Sequence, residues 1–260
     1  LRTPSQLTVL SDFLHPMPRI SQWLRMDRLS KITLSNLRRF LMTDSAQYTD
    51  EMVMFRRSFH SHPETGWTEF RTTSVIVNRL KELGLTVLQG TRVINPDFVM
   101  GRYPDEVEAG KTRALSEGVS QADIDATEGY TGAVAVFDTG RPGPVSAFRF
   151  DIDALYVPET TDPSHLPNQL GFASRHPGLM HACGHDCHTA EGLALAHWLV
   201  DHKSDLCGTI KLLFQPAEEG TRGALAMSES GVLDDVENLI ACHIACTPRL
   251  GEITITDPGY

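Results

Sequence analysis

Hydrophobic positions recur at helical spacing early in the chain and in strand-like runs later. Two sets of apolar residues, spaced three or four apart, predict two helices, the second ending at Gly84. The sets are Met52, Phe55 and Phe59, then Ile76, Leu80 and Leu83. Apolar or β-branched runs bounded by Gly, Pro or Asp predict strands. These runs cover residues 85–88, 133–137, 144–150, 209–214, 238–241 and 252–256.

Further helices are predicted between the later strands, over residues 188–202 and 222–230. Strands that alternate with helices are typical of the α/β class, and we expect a three-layer sandwich around a mixed, largely parallel sheet. Binding sites in such sheets form in the loops at the strand ends. The residues with candidate chemistry follow predicted strands or precede a predicted helix, so we expect a site at that edge.

Two segments depart from this regular pattern. Residues 89–131 are polar and rich in acids and are too long for an ordinary loop, which predicts an insertion with its own helices or a flexible flap. Residues 1–45 carry arginine, lysine and serine with few acids. They predict a basic extension that is either poorly ordered or an organelle-targeting leader. The metal-binding part of the chain is then expected over residues 46–260.

Composition narrows the class of partner. The chain has 260 residues and is 41% hydrophobic, enough for a packed core. Its net charge of −10 argues against nucleic acid and anionic membranes as partners. The five cysteines all lie in the C-terminal third and offer no disulfide framework, which fits a cytoplasmic setting. An organellar location is the alternative if residues 1–45 are a leader.

The motif HACGHDCHTA (181–190) brings a thiol and several imidazoles together. Cys183 and His185 stand one residue apart on a glycine-containing turn, where both side chains can reach one ion. Helical geometry would separate them. Thiolate and imidazole groups are good zinc ligands. The alternative is a buried free cysteine beside a capping histidine.

A closed structural zinc site is a second alternative. Cys183 and Cys187 are four residues apart, as are Cys242 and Cys246, and structural sites often use paired cysteines. The interleaved His and Asp residues favour a catalytic site, because a cysteine-only site leaves the carboxylates without a role. A redox dithiol is a further alternative.

Acidic pairs follow two of the predicted strands. Glu218 and Glu219, in QPAEEG, are expected to point to opposite sides of an extended segment, so one can ligate a metal while the other acts as general base. The alternative is a solvated helix N-terminus. Asp151 and Asp153 share a strand face and suit the support of a ligating histidine, or simple strand-end turn chemistry. His243 follows another apolar strand, where a lone histidine is usually a core residue.

Five segments, taken in order, resemble the amidohydrolase branch of the dinuclear metallopeptidases. They are RRSFHSHPETGWTEFRT (56–72), FRFDIDAL (148–155), MHACGHDCHTA (180–190), FQPAEEGTRGA (214–224) and CHI (242–244). The resemblance implies cleavage of an N-acyl or p-aminobenzoyl amino acid by metal-activated water. The substrate that it implies first is p-aminobenzoyl-glutamate, and a hippurate-like amide is the alternative.

The same resemblance implies roles for six residues of this chain. It implies two bound zinc or manganese ions, with Glu218 as general base and Asp153 as a supporting group. The implied metal ligands are Cys183, His185, Glu219 and His243. A thiolate ligand favours zinc, whereas carboxylates also suit manganese.

The resemblance also implies parts of an active site beyond Tyr260. They are an inserted dimerisation domain, a fifth ligand histidine and a histidine that stabilises the oxyanion. This chain is therefore expected to be the N-terminal portion of the catalytic domain, with the dimerisation domain absent from it. The implied partners are a small-molecule substrate and a second copy or homologous second subunit. The alternative hypothesis is a truncated, non-catalytic fragment.

Overall fold

A computed structural model describes residues 47–244 of the chain. The predictions for residues 1–46, for the strand at 252–256 and for Cys246 lie outside this range. In the described part, no helix combines the length and the apolar character needed to cross a bilayer.

The described chain alternates helices and strands much as its sequence predicts. Its helices are α1 (Thr49–His60), α2 (Phe70–Glu82), α3 (Pro104–Ser116), α4 (Gln121–Ala126), α5 (Leu166–Leu170), α6 (His185–Asp201) and α7 (Ala224–Met227). Its strands are β1 (Thr86–Leu88), β2 (Ala133–Asp138), β3 (Val145–Asp151), β4 (Thr209–Gln215) and β5 (Asn238–Ala241). A π-helical turn, Ser228–Val232, follows α7.

The strands form one five-stranded sheet in the order β1-β2-β4-β3-β5. β3 runs parallel to both β4 and β5, whereas β2 runs antiparallel to β1 and β4. The predicted α/β class with a mixed sheet is confirmed. Among the described strands two pairings are parallel and two are antiparallel, because β2 runs opposite to both of its neighbours.

Alternate side chains of the strands enter two separate cores. On one face, Phe150 and Phe214 pack with α1, α2 and α6, the last through Leu193. On the other face, Val134 and Leu213 pack with α3, α4 and α7. Helices on both faces make the predicted three-layer arrangement, and each apolar core stabilises the sheet from its own side.

Residues 89–131 contain α3, α4 and two short 3₁₀ turns, Gly90–Arg92 and Pro96–Phe98. Of the two outcomes that the sequence left open, the structure shows the helical one. The segment is fastened by two side chains that bond its backbone. The Trp67 indole donates to the Met100 carbonyl at 2.8 Å, and Arg222 donates to the Gly101 carbonyl at 2.9 Å. Arg222 also donates to the Glu219 carbonyl at 3.0 Å, so this segment lies against the loop after β4.

Helix α6 approaches the sheet closely at Gly192. A Cβ atom there would lie 2.7 Å from the Phe214 ring and 2.8 Å from the Phe150 ring, both in the core. Alanine in a helix interior is ordinarily better than glycine by about 1 kcal/mol. Overpacking here costs about 1–3 kcal/mol. We therefore expect Gly192→Ala to lower the free energy of unfolding, measured by urea denaturation.

Ala194→Gly is the matched control for this prediction, because Ala194 is only partly buried on the same helix. It should lower the free energy of unfolding by the ordinary glycine penalty alone. A Gly192→Ala protein that gained as much stability as Ala194→Gly loses would show that α6 does not pack so tightly.

Candidate metal centre

The candidate residues meet where three parallel strands end. Asp151 and Gln215 are partners in the register of β3 and β4, so the two strands end at the same level. The loops that follow β3, β4 and β5 carry the acidic pairs and His243, and the N-terminus of α6 faces them. This placement agrees with the edge that the sequence predicts.

The helix that carries the histidines starts earlier than predicted. His185 is the first residue of α6, whereas the sequence placed the helix start at His188. The helix start was predicted too late because the first turn of α6 is polar and lacks the apolar spacing that indicates a helix. Gly184 has φ +90°, a left-handed conformation that glycine adopts without steric cost. The chain turns sharply there, so Cys183 can approach His185 although His185 is helical.

Cys183, His185 and His243 bring their donor atoms within 4.8 Å of one another. The Cys183 sulfur lies 3.3 Å from His243 Nε2. His243 Nδ1 lies 2.6 Å from the Ile244 carbonyl oxygen and must donate to it, since a carbonyl only accepts. The lone pair of His243 is therefore on Nε2, directed at the thiol. His243 is exposed, so it is not the core residue that its strand context suggested.

The paired glutamates approach the same imidazole. His185 Nε2 lies 3.8 Å from Glu218 Oε2 and 3.9 Å from Glu219 Oε1. The expectation that adjacent carboxylates point to opposite sides was wrong. The loop is a turn rather than an extended segment, and Ala217 before it has φ +50°. Both acids consequently face the candidate metal position.

Asp153 holds the loop after β4 through hydrogen bonds to its backbone. Its two carboxylate oxygens accept hydrogen bonds from the backbone N–H groups of Glu218 and Glu219, each at 3.0 Å. Oδ1 also lies 3.3 Å from His185 Nδ1. One buried carboxylate thus faces the far nitrogen of a candidate ligand, the arrangement by which proteins orient metal-binding histidines.

Unsatisfied buried atoms test whether the site suits a cation. His185 Nε2 and Glu219 Oε1 are two of several buried side-chain atoms in residues 47–244 that have no hydrogen-bond partner. An unpaired buried polar atom is costly, and a divalent ion would satisfy both at once. The donor set of thiol, imidazole and carboxylate is the mixture that zinc and manganese accept. The residues present therefore fit a metal.

The electrostatics of the site support the same conclusion. Burial, together with the negative charge of Glu219, raises the pKa of the Cys183 thiol to about 11. Burial also raises the pKa of Glu219. The His185 charge lowers this pKa, whereas the charges of Asp153 and Glu218 raise it further. A bound cation would oppose both shifts, because metals bind the deprotonated forms of these groups.

The closed cysteine site receives no support from the described residues. Of the four free cysteines there, only Cys183 belongs to a group that could hold a metal. Cys242 is exposed, and Cys187 lies on α6 with its thiol pKa raised to about 11 by burial and the nearby Asp186 charge. Candidate groups that contain carboxylates favour the catalytic alternative.

Sequence reasoning missed two buried histidines that contact carboxylates. His188 contacts Asp151, and both are buried. His60 bonds Asp186 at 2.8 Å and Glu159 at 2.9 Å. The three-residue spacing of His185 and His188 on α6 was a signal for the first pair, since such residues share a helix face. The second pair joins residues 126 apart, and no local pattern indicates it.

Comparison with known proteins finds a family match within this chain. Residues 147–257 match Peptidase family M20/M25/M40, a stretch that holds the acidic pairs and all the candidate ligands. The resemblance predicted from the motifs is confirmed.

Curated proteins match over most of this chain. One of the subunits of p-aminobenzoyl-glutamate hydrolase from Escherichia coli is 52% identical over 209 residues, 79% of this chain and 48% of that protein. Indole-3-acetyl-aspartic acid hydrolase of Enterobacter agglomerans is 50% identical over 217 residues, 82% of this chain and 50% of that protein. The chain thus spans about half the length of the curated relatives it matches.

Solved structures are similar to this chain as well. An aminobenzoyl-glutamate utilization protein from Klebsiella pneumoniae has a TM-score of 0.65 at 40% identity, covering 79% of this chain and 46% of that one. A dinuclear metal binding peptidase of the M20 family from Bacillus subtilis has a TM-score of 0.57 at 32% identity, covering 76% of this chain and 44% of that one.

Proposed function

We propose that this chain contributes the larger part of the active site of a metal-dependent amidohydrolase. The observation that carries the proposal is the pair of buried, unsatisfied atoms His185 Nε2 and Glu219 Oε1, which lie 3.9 Å apart. Cys183 and His243 stand beside them with donor atoms in reach of the same position. The match of residues 147–257 to Peptidase family M20/M25/M40 supports this function.

The metal complement that we propose is two divalent ions, zinc or manganese. The Bacillus subtilis relative, a dinuclear metal binding peptidase, supports the number. We assign the ligand role to a set that spans three loops, namely Cys183, His185, Glu219 and His243. A divalent ion bound there would polarise the scissile carbonyl and acidify a water molecule.

The protein groups around that position divide the remaining work. Glu218 is the more accessible of the two glutamates, with a side chain 34% exposed against 23% for Glu219. We assign Glu218 the role of general base: it takes the proton of the attacking water and returns it to the leaving amine. Asp153 holds the Glu218–Glu219 backbone in place, which is a positioning role.

The substrate that we propose is p-aminobenzoyl-glutamate, with a hippurate-like N-acyl amino acid as the alternative. Two relatives at 52% and 50% identity are named for amides that join an aromatic acyl group to an acidic amino acid. Such an activity would belong to folate catabolism. The Escherichia coli relative is itself one subunit of its enzyme, which supports a homologous second subunit or a second copy as partner. The free thiols of the described cysteines suit a reducing, cytoplasmic setting.

Metal removal tests this function on the full-length protein. We expect the purified protein to contain at least one equivalent of zinc or manganese and to hydrolyse p-aminobenzoyl-glutamate. Chelation should abolish hydrolysis while leaving the far-UV circular dichroism unchanged, and added metal should restore it. A protein with intact ligands and less than one equivalent of metal would refute the proposal. Cooperative unfolding on chelation would instead indicate a structural metal.

A further inference from the structure

A third histidine, His188, lies inside the candidate metal centre. Asp151, His185 and His188 form another group whose donor atoms lie within 4.8 Å of one another. The His188 ring stacks on His185 with centroids 5.4 Å apart and meets His243 edge-on at 4.5 Å. Proximity alone would make His188 a ligand, so the use of its two ring nitrogens decides its role.

Both nitrogens of His188 are already engaged by protein groups. Nε2 lies 2.9 Å from the backbone nitrogen of Ile244, and that N–H can only donate. Nε2 therefore carries the lone pair, and the proton is on Nδ1, where it is donated to Asp151. A neutral imidazole has one lone pair in the ring plane, and the Ile244 amide occupies it. No donor atom of His188 is left for an ion.

Asp151 is held in place by two contacts. Arg149 forms an ion pair with its second oxygen at 2.8 Å, and His188 contacts the first. The carboxylate thus accepts a hydrogen bond from His188 Nδ1 and fixes the tautomer of His188.

The engaged amide belongs to the peptide bond that follows His243. His188 therefore accepts a hydrogen bond from the N–H of that peptide. The Ile244 carbonyl oxygen accepts a hydrogen bond from His243 Nδ1 at 2.6 Å. Strand β5 is exposed along its length and pairs only with β3 among the described strands. The four residues of the strand are themselves exposed, so the described contacts to the segment after β5 come from the loop before α6 and from the first turn of α6.

We propose that His188 is a positioning residue that holds the metal ligand His243 through the Ile244 amide, and is not itself a ligand. This inference rests on the proposed metal-dependent function. It assigns a chain of contacts, Arg149 to Asp151 to His188 to the His243–Ile244 peptide, whose purpose is to fix the exposed end of β5. Its consequence is that the affinity for metal depends on a residue that never touches the metal.

Cobalt(II) binding to the full-length apoprotein tests this role directly, because its visible absorption reports the ligand set. His188→Leu removes the acceptor and should weaken Co²⁺ binding by about 10–100-fold, the usual loss when a ligand's support is removed. At saturating Co²⁺ its spectrum should equal that of the wild type. His188→Gln can accept from the Ile244 amide and should bind more tightly than His188→Leu. His197→Gln, the same change farther along α6, should bind as the wild type does.

Three results would overturn the inference. A saturated spectrum of His188→Gln or His188→Leu that matches the ligand-deleted His243→Gln would make His188 a ligand. Equal Co²⁺ affinity in His188→Leu and the wild type would remove the positioning role, while the metal-dependent function would stand. A wild-type protein that binds less than one equivalent would refute both. If His188→Leu fails to fold, His188→Gln still decides, because binding weaker than in His197→Gln with an unchanged saturated spectrum is the expected result.

Discussion

Glu218→Gln should retain its bound metal and lose hydrolysis by about 10²–10⁴-fold, the range that a general base contributes. Glutamine preserves the size of the side chain but cannot take a proton from water. The site keeps its ligands, since Glu219 and His185 are unchanged and the backbone of the loop is held by Asp153. The measurements are kcat on p-aminobenzoyl-glutamate and metal content by elemental analysis, both on the full-length protein.

Two matched variants make this result specific. Glu219→Gln should lose metal as well as activity, because it removes a ligand rather than a base. Glu106→Gln makes the same change on the exposed first turn of α3 and should alter neither quantity. Turnover of Glu218→Gln close to that of the wild type would remove Glu218 from the role of base and leave the ligand assignment standing.

Asp153→Asn is expected to damage metal binding and stability together. Asparagine has one acceptor oxygen, whereas Asp153 uses both oxygens for the amides of Glu218 and Glu219 and is buried. Its amide group would point one N–H donor at another. Metal affinity should fall by about 10–100-fold, as for other groups that orient ligands. The free energy of unfolding should fall by about 1–3 kcal/mol, the cost of an unsatisfied buried group.

Asp138→Asn is the control for that experiment. Asp138 also accepts a backbone N–H, from Gly140, but it is exposed and uses one oxygen. Asparagine can make the same bond, so metal affinity and stability should both stay at the wild-type level. If Asp153→Asn behaved like Asp138→Asn, the two amide bonds would not be what holds the glutamate loop.

The sequence anticipated the strands well because their signal is local. β2, β3 and β4 are apolar runs with clear polar boundaries, and the predicted bounds differ from the observed ones by a residue or so. The placement of acids and histidines after those strands was also readable. What a linear pattern could not show was the turn at Ala217, which directs both Glu218 and Glu219 to one side.

Contacts between distant parts of the chain account for most of what remained hidden. His188 looked like a polar residue at a helix start, and only the fold brings Asp151 and the Ile244 amide to its two nitrogens. The helices of residues 89–131 were equally hard to foresee, because that segment is polar and buries few side chains. Its apolar residues, such as Val107 and Ile124, are recognisable as core residues only once the fold packs them against Val134 and Leu213 of the sheet.

The fastening of residues 89–131 has an evolutionary consequence. Trp67 and Arg222 donate hydrogen bonds to the backbone carbonyl oxygens of Met100 and Gly101. Every amino acid has such a carbonyl group. The neighbouring side chains of Phe98, Met100 and Tyr103 are exposed. Mutations can therefore change the chemical surface that these side chains present without disturbing the glutamate loop that Arg222 also holds. Such a division lets one part of a protein diversify while its chemistry stays under strict selection.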